Sequence, residues 1–176
     1  SWHRRPLVEE MIAGTFTPPL REDGADELPI DDSMDLEGKY VGVRDDGISF
    51  ATVGRATWRV TLGPGGTHLL GLVAAGTPCD GIFPLVEVRL DGEHVGFISV
   101  AERDLRGYSL MFDAEAGDHA LSVAFVNDKT SGNEDRNLFV QRVTLAPYPD
   151  TGAFETVTTP PALVRVPVGK GMLVLN

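Results

Sequence analysis

The sequence predicts an all-β chain: an antiparallel β-sandwich with a short N-terminal helix and extended tails. Three observations carry that prediction. Apolar runs follow one another at about ten-residue spacing from Tyr40 onward, several of them alternate with period 2, and turn-forming pairs separate them. In "TWRVTL", Trp58, Val60 and Leu62 fall on one face and Thr57, Arg59 and Thr61 on the other. "ALSVAFV" repeats the pattern with Leu121, Val123 and Phe125. A sheet with one dry and one wet face reads this way.

The elements follow in order. "RPLVEEMIAGTF" is expected to form the helix, because Leu7, Met11 and Ile12 are near-helically spaced and Gly14 ends the pattern. Next, "REDGADELPIDDSMDLEG" carries eight acids from Glu22 to Glu37 against one base, Arg21, with Pro29 among them. That composition reads as a solvated linker. Strands are then expected at "YVGVR", "ISFATV", "ATWRVTLG", "HLLGLVAA", "PLVEVRL", "HVGFISV", "YSLMF", "HALSVAFV" and "NLFVQRVTL". Between them stand Asp46-Gly47, "GPGG", "GTPCDG", Asp91-Gly92 and Gly117-Asp118, which favour tight turns. After "APYPDTG" come two further strand-like pieces, "ALVRVPV" and "GMLVLN". The expected division is a helix and acidic linker over 1–35, the sandwich over 36–147, and a linker with strands of a neighbouring domain over 148–176. The chain begins "SWHRRP" and ends within a strand pattern, which reads as an internal piece of a longer protein.

Composition narrows the function. The chain is 42% hydrophobic, enough for a packed core, and its net charge is −11. So acidic a surface argues against nucleic acid and anionic membranes as partners, and is compatible with neutral ligands and divalent cations. No apolar run approaches the roughly 18 residues that a membrane span needs. Cys79 is the sole cysteine, so no internal disulfide can form.

Signals for catalysis are thin, and no catalytic residue is assigned. "GPGGTH" lacks the Lys-Ser/Thr of a phosphate-binding loop, and G-x-S-x-G, H-E-x-x-H and paired-Cys patterns are missing. The four histidines lie far apart, and His94 and His119 at strand starts read as surface residues with satisfied rings. Trp58 alternates with core positions and reads as buried; Phe83, on a loop, reads as either core or ligand contact.

One loop stands out. "FVNDKTSGNEDRNLF", from Phe125 to Phe139, holds Asn127, Asp128, Asn133, Glu134, Asp135 and Asn137 between two strand patterns. Calcium takes six to eight oxygen ligands from carboxylates, carbonyl groups and water. Asp128 and Asp135, on a loop that turns back between strands, can converge on one such ion, with carbonyl or amide oxygens added. Asx-turns and simple solvation are the alternative uses for the same side chains.

The stretch "GDHALSVAFVNDKTSGNEDRNLFVQRVTL" resembles the C-terminal half of calcium-dependent, xylan-binding carbohydrate-binding modules of families 36 and 60. It supplies their Asn-Asp (Asn127-Asp128), short variable loop, Asp-Arg-Asn-Leu (Asp135 to Leu138) and aromatic (Phe139) before a last strand. "GTPCDGIFPLVEVRLDGEHVG" and "RGYSLMFDAEAGDHALSV" are similar to the family's upstream strands. The resemblance implies a jelly-roll-like sandwich in which a loop-bound calcium contacts sugar hydroxyls. By position, Asp128 and Asp135 would give side-chain oxygens and Glu134 its backbone carbonyl. Asn127, Lys129, Asn133 and Phe83 are the candidates for ligand contact. Arg136 is expected to pair with a carboxylate, and Asn137 to bond loop backbone.

Lys129-Thr130 stands where family members often place an aromatic, which removes a stacking face. Gln141 stands where the last strand usually carries an Asp, which weakens a second, structural calcium at Asp35 and Glu37. The tail, with "VPVGKG", is similar to the closing strands of glutamine-amidotransferase-like domains of large bacterial glycosidases.

The expected function is therefore a non-catalytic module that binds a xylan- or galactan-like polysaccharide through calcium. It would belong to a larger carbohydrate-active protein that is secreted, periplasmic or at the cell surface. Two rivals stand beside it: a calcium-stapled spacer or interdomain module without its own ligand, and a small glycosidase or lyase.

Overall fold

The computed structural model describes residues 25–44, 47–63 and 65–148, and the backbone of two strands nearer the C-terminus. The expected N-terminal helix lies outside the described residues. In chain order the strands are β1 (Asp26–Glu27), β2 (Asp35–Glu37), β3 (Val41–Arg44), β4 (Gly47–Phe50), β5 (Gly54–Leu62), β6 (Gly66–Gly76), β7 (Leu85–Leu90), β8 (Glu93–Ser99), β9 (Arg106–Ala114), β10 (Gly117–Phe125), β11 (Thr130–Ser131), β12 (Glu134–Asp135), β13 (Leu138–Pro147), β14 (Val164–Val168) and β15 (Gly171–Leu175). All nine strands expected from Tyr40 to Leu145 are present, as are the two of the tail, which pair antiparallel with Val164 opposite Leu175.

Two sheets form the sandwich. One has the order β3-β4-β13-β6-β9, with β1 also paired to β13; the other has the order β2-β5-β10-β7-β8. Every pairing is antiparallel. Phe50, Leu70, Leu72 and Val140 of the first sheet meet Trp58, Val86, Val88, Leu121 and Phe125 of the second in one core. Burying each such side chain contributes roughly 1.5–3 kcal/mol. Trp58 adds a polar anchor, its Nε1 donating to the carbonyl of Pro29 at 2.7 Å.

Strict alternation would break the core on β13, and a bulge repairs it. Leu138 and Val140 point inward, so Arg142 and Thr144 would follow by period 2. The register against β6 shifts between Val140 and Arg142, Gln141 becomes the extra residue, and Val143 and Leu145 return to the core.

The acidic segment is only partly the solvated linker that its composition suggests. β1 pairs Asp26 with Leu145, and β2 pairs Leu36 with Ala56, while Leu28 and Met34 are buried in the core. A few apolar residues spaced among the acids suffice to hold this stretch on the sandwich, with the carboxylates left in water.

Two Asp-Gly pairs shape the turns. Asp91-Gly92 joins β7 to β8 with φ of 52° and 85°, and Asp80-Gly81 repeats this with 52° and 73°. Positive φ at both central residues gives the turn whose twist matches paired strands, and Asp and Gly tolerate it best.

Candidate functional site

The site lies at the end of the sandwich where β6, β10 and β13 meet. Leu138 opens β13 opposite Gly76, the last residue of β6, and Phe125 closes β10 opposite Val86 near the start of β7. The connections 77–84 and 126–137 therefore leave the sheets side by side. Gly76 permits this, because a Cβ there would sit 2.5 Å from Cγ of Pro84.

Arg136 fastens the two loops together. Its guanidinium is buried and donates to three backbone carbonyls: Ile82 at 2.7 Å, Cys79 at 2.7 Å, and Asn127. No carboxylate partners it among the described residues, which corrects the ion pair expected from the sequence. Five donors in a rigid fork fit three carbonyls presented by two loops. Thr77 adds a second tie, its Oγ1 donating to the carbonyl of Asp135 at 2.6 Å and accepting from the amide of Asn137 at 2.9 Å.

Above this floor the 126–137 loop folds into a small hairpin. Thr130 pairs with Asp135 and Ser131 with Glu134, around Gly132 at φ 58° and the exposed Asn133. The carboxylate of Asp135 accepts from Thr130 Oγ1 at 2.7 Å and from Asn137 Nδ2 at 2.9 Å. These bonds, Thr130 first, hold it below the usual carboxylate range. Asn137 also reaches the carbonyl of Asp135 at 3.3 Å.

Asp128 sits two residues before the strand that pairs with Asp135. It is half-buried, and its Oδ1 is fully shielded with no hydrogen-bond partner among the described residues. An unpaired carboxylate oxygen out of water is costly, and a hard cation is the partner that such an oxygen fits. Asp128 and Asp135 carry carboxylate oxygens, and with the loop carbonyls they are the donor type that calcium takes.

The remaining candidates are placed as follows. Glu134 is exposed; its Oε2 accepts from the amide of Asp80 at 2.7 Å, and its carbonyl lies 3.8 Å from Cys79 Sγ. Lys129 Nζ lies 2.6 Å from Asp80 Oδ2, and this contact raises the lysine and lowers the aspartate. Both ends of the Asn127 amide are taken by backbone: Oδ1 accepts from Leu85 N at 2.7 Å, and Nδ2 donates to Phe83 O at 3.0 Å. Phe83 itself is half-buried on the neighbouring loop. Asp35 and Glu37 lie on the edge strand β2, and Glu37 is paired with Arg55 Nη2 at 2.6 Å.

Asp80 and Thr77 were not legible as site residues in the sequence. "GTPCDG" reads as a turn, yet nothing in it tells that the turn lies against Glu134 and Lys129. Cys79, Asp80 and Glu134 offer ligand atoms within 4.8 Å of one another. A buried thiol is a soft ligand, which suits calcium poorly.

Among the described residues the chain is an acidic all-β sandwich with an oxygen-rich loop joining two antiparallel strands, a fold that carbohydrate-binding modules share. Residues 70–156 match the family described as "Ca-dependent carbohydrate-binding module xylan-binding", family 60, and this stretch is a carbohydrate-binding module, a non-catalytic kind of domain. Among solved structures, a family 36 carbohydrate-binding module in complex with calcium and xylotriose superposes with a TM-score of 0.54 at 16% identity, covering 64% of this chain and 93% of its own. The first family 36 domain of a multidomain xylanase from the hindgut metagenome of Trinervitermes trinervoides gives 0.51 at 13% identity, covering 66% and 98%. At such identity these likenesses establish the fold. No curated protein matches the sequence.

Proposed function

We propose that the module binds a xylan-like polysaccharide through a calcium ion held by Asp128, Asp135 and the backbone carbonyl of Glu134. The observation that carries this reading is the shielded, partnerless Oδ1 of Asp128. When bound, calcium would supply coordination positions that exchange water for a pair of adjacent sugar hydroxyls. The chain's own residues do the rest. Arg136 locks the loop to its neighbour, Thr130 and Asn137 orient Asp135 in its ionised form, and Gly132 closes the hairpin. In a larger carbohydrate-active protein, at the cell surface, in the periplasm or secreted, such a module would keep neighbouring domains on their polysaccharide.

Isothermal titration of soluble xylan into the protein tests this. An affinity in calcium that falls sharply with chelator and with Asp128→Ala is the expected result. Identical titrations in calcium and chelator would overturn it.

A second reading is supported by the ion pair of Lys129 with Asp80. A lysine pinned to the neighbouring turn gives a sugar ring no stacking face, which favours calcium as a loop staple only. That reading predicts a chelator-sensitive melting temperature without retention on any polysaccharide.

A further inference from the structure

The outer face of the five-stranded sheet carries an open groove of about 510 Å³, lined by Glu37, Gly54, Arg55, Glu87, Arg89 and Ala124. A single row of cross-strand partners runs through it: Glu37 opposite Arg55, Arg55 opposite Ala124, Ala124 opposite Glu87, and Glu87 opposite Phe97. The row crosses all five strands, a span of roughly 19 Å at ordinary strand spacing. Its members point outward, because the alternating residues Leu36, Ala56, Val123, Val88 and Ile98 point into the core.

Four features describe what would fit. The charges cancel within the groove: Arg55 pairs with Glu37 at 2.6 Å and Arg89 with Glu87 at 2.9 Å. On so acidic a chain, a balanced groove suits a neutral ligand better than a cation or an anion. Arg55 spends Nη2 on Glu37 and its shielded Nε has no acceptor among the described residues, so the guanidinium is not saturated by its ion pair. The bonds to Glu87 from Arg89 and His94 both fall on Oε1, which leaves Oε2 for a further donor. At the end of the row Phe97 is 52% exposed, with the His94 ring 4.6 Å away between centroids. Donors and acceptors side by side match hydroxyl groups, which are both, and an exposed ring matches the C–H face of a sugar.

We infer that this face is a second, calcium-independent subsite for a neutral oligosaccharide, with Arg55 and Glu87 bonding hydroxyls on either side of Ala124 and Phe97 stacking on a ring. The inference rests on the chain being a carbohydrate-binding module, and not on the calcium reading.

The test uses the full chain, xylohexaose as probe, and two-dimensional amide NMR with titration calorimetry, in calcium and in excess chelator. In chelator, the amides of Arg55, Glu87, Ala124 and Phe97 should shift with added xylohexaose. Ala124→Phe fills the groove between Arg55 and Glu87 and should weaken that binding at least about tenfold, as should the isosteric Glu87→Gln. Unmoved amides in chelator, or wild-type affinity in both variants, would overturn the subsite. The calcium reading fails by a different result, an affinity for xylohexaose that chelator leaves unchanged, so failure of one is distinguishable from failure of the other.

Discussion

Arg136 donates from Nη2 to the carbonyl of Cys79 at 2.7 Å, and through this bond the 79–82 turn and the 126–137 loop become one body. Two further carbonyls, of Ile82 and Asn127, share the same guanidinium. Replacing it by Met keeps the volume and strands three acceptors. Arg136→Met should destabilise the protein by roughly 3 kcal/mol or more, read from the midpoint of urea unfolding. Arg136→Lys should recover little of this, since an ammonium cannot span three divergent carbonyls.

For Asp128 the expected effect changes sign with the metal. In calcium, Asp128→Ala removes a ligand and should lower the melting temperature. In chelator the wild type keeps a shielded oxygen without a partner, and the variant does not. There Asp128→Ala should melt no lower than the wild type. Equal loss of stability in both conditions would show that Asp128 serves the loop without a metal.

Lys129 places a positive charge one residue from Asp128 and 2.6 Å from Asp80. Lys129→Met should tighten calcium binding several-fold at low salt by removing Coulomb repulsion, with the gain fading as salt is added. Calcium titrations at two ionic strengths measure it.

The pair of His119 and Asp91 makes stability depend on pH. His119 donates from Nδ1 to Asp91 Oδ2 at 2.6 Å, and its Nε2 faces the carbonyl of Glu115 at 3.0 Å. With acceptors at both nitrogens the doubly protonated ring is favoured, and the Asp91 bond is the chief cause of a pKa raised above 6.5. Asp91 is lowered from 3.8, first by the amide of Ala120 and then by His119. The histidine's contribution is complete below about 6.5 and is lost as pH rises through its folded pKa; the aspartate's is present above about 3.8 and is lost as pH falls through its folded pKa. The pair therefore stabilises most between those values. NMR titration should place His119 above 6.5, and Asp91→Asn should bring it down.

Trp58 offers a check on the upstream segment. Trp58→Phe keeps an aromatic in the core but removes the bond to Pro29 O, at a cost of about 1 kcal/mol in urea unfolding. A change indistinguishable from zero would mean that the stretch between β1 and β2 does not lean on the indole.

The strands were legible because period 2 is a local property: Trp58, Val60 and Leu62 announce a half-buried strand wherever its partners lie. The Asp-Gly turns were legible for the same reason, since positive φ is a demand on two residues only. Asp128 and Asp135 stood out by chemistry, as acids in a loop between strands.

What the chain alone left open depends on residues distant in sequence. Leu28 and Met34 look incidental in an acidic stretch until β5 and β13 pair with β2 and β1 beside them. Arg136 reads as a loop cation, and only the approach of the 77–84 loop turns it toward three carbonyls rather than a carboxylate. Asn127 reads as a ligand contact, and only β7 and its entry loop take up both ends of its amide. The row from Glu37 to Phe97 exists in no local pattern, because cross-strand register brings together residues from five separate strands. By itself the sequence determined an acidic β-sandwich with one oxygen-rich loop. Tertiary structure decided which side chains remain unpartnered, since that depends on which loops and strands come within bonding distance when the sheets close.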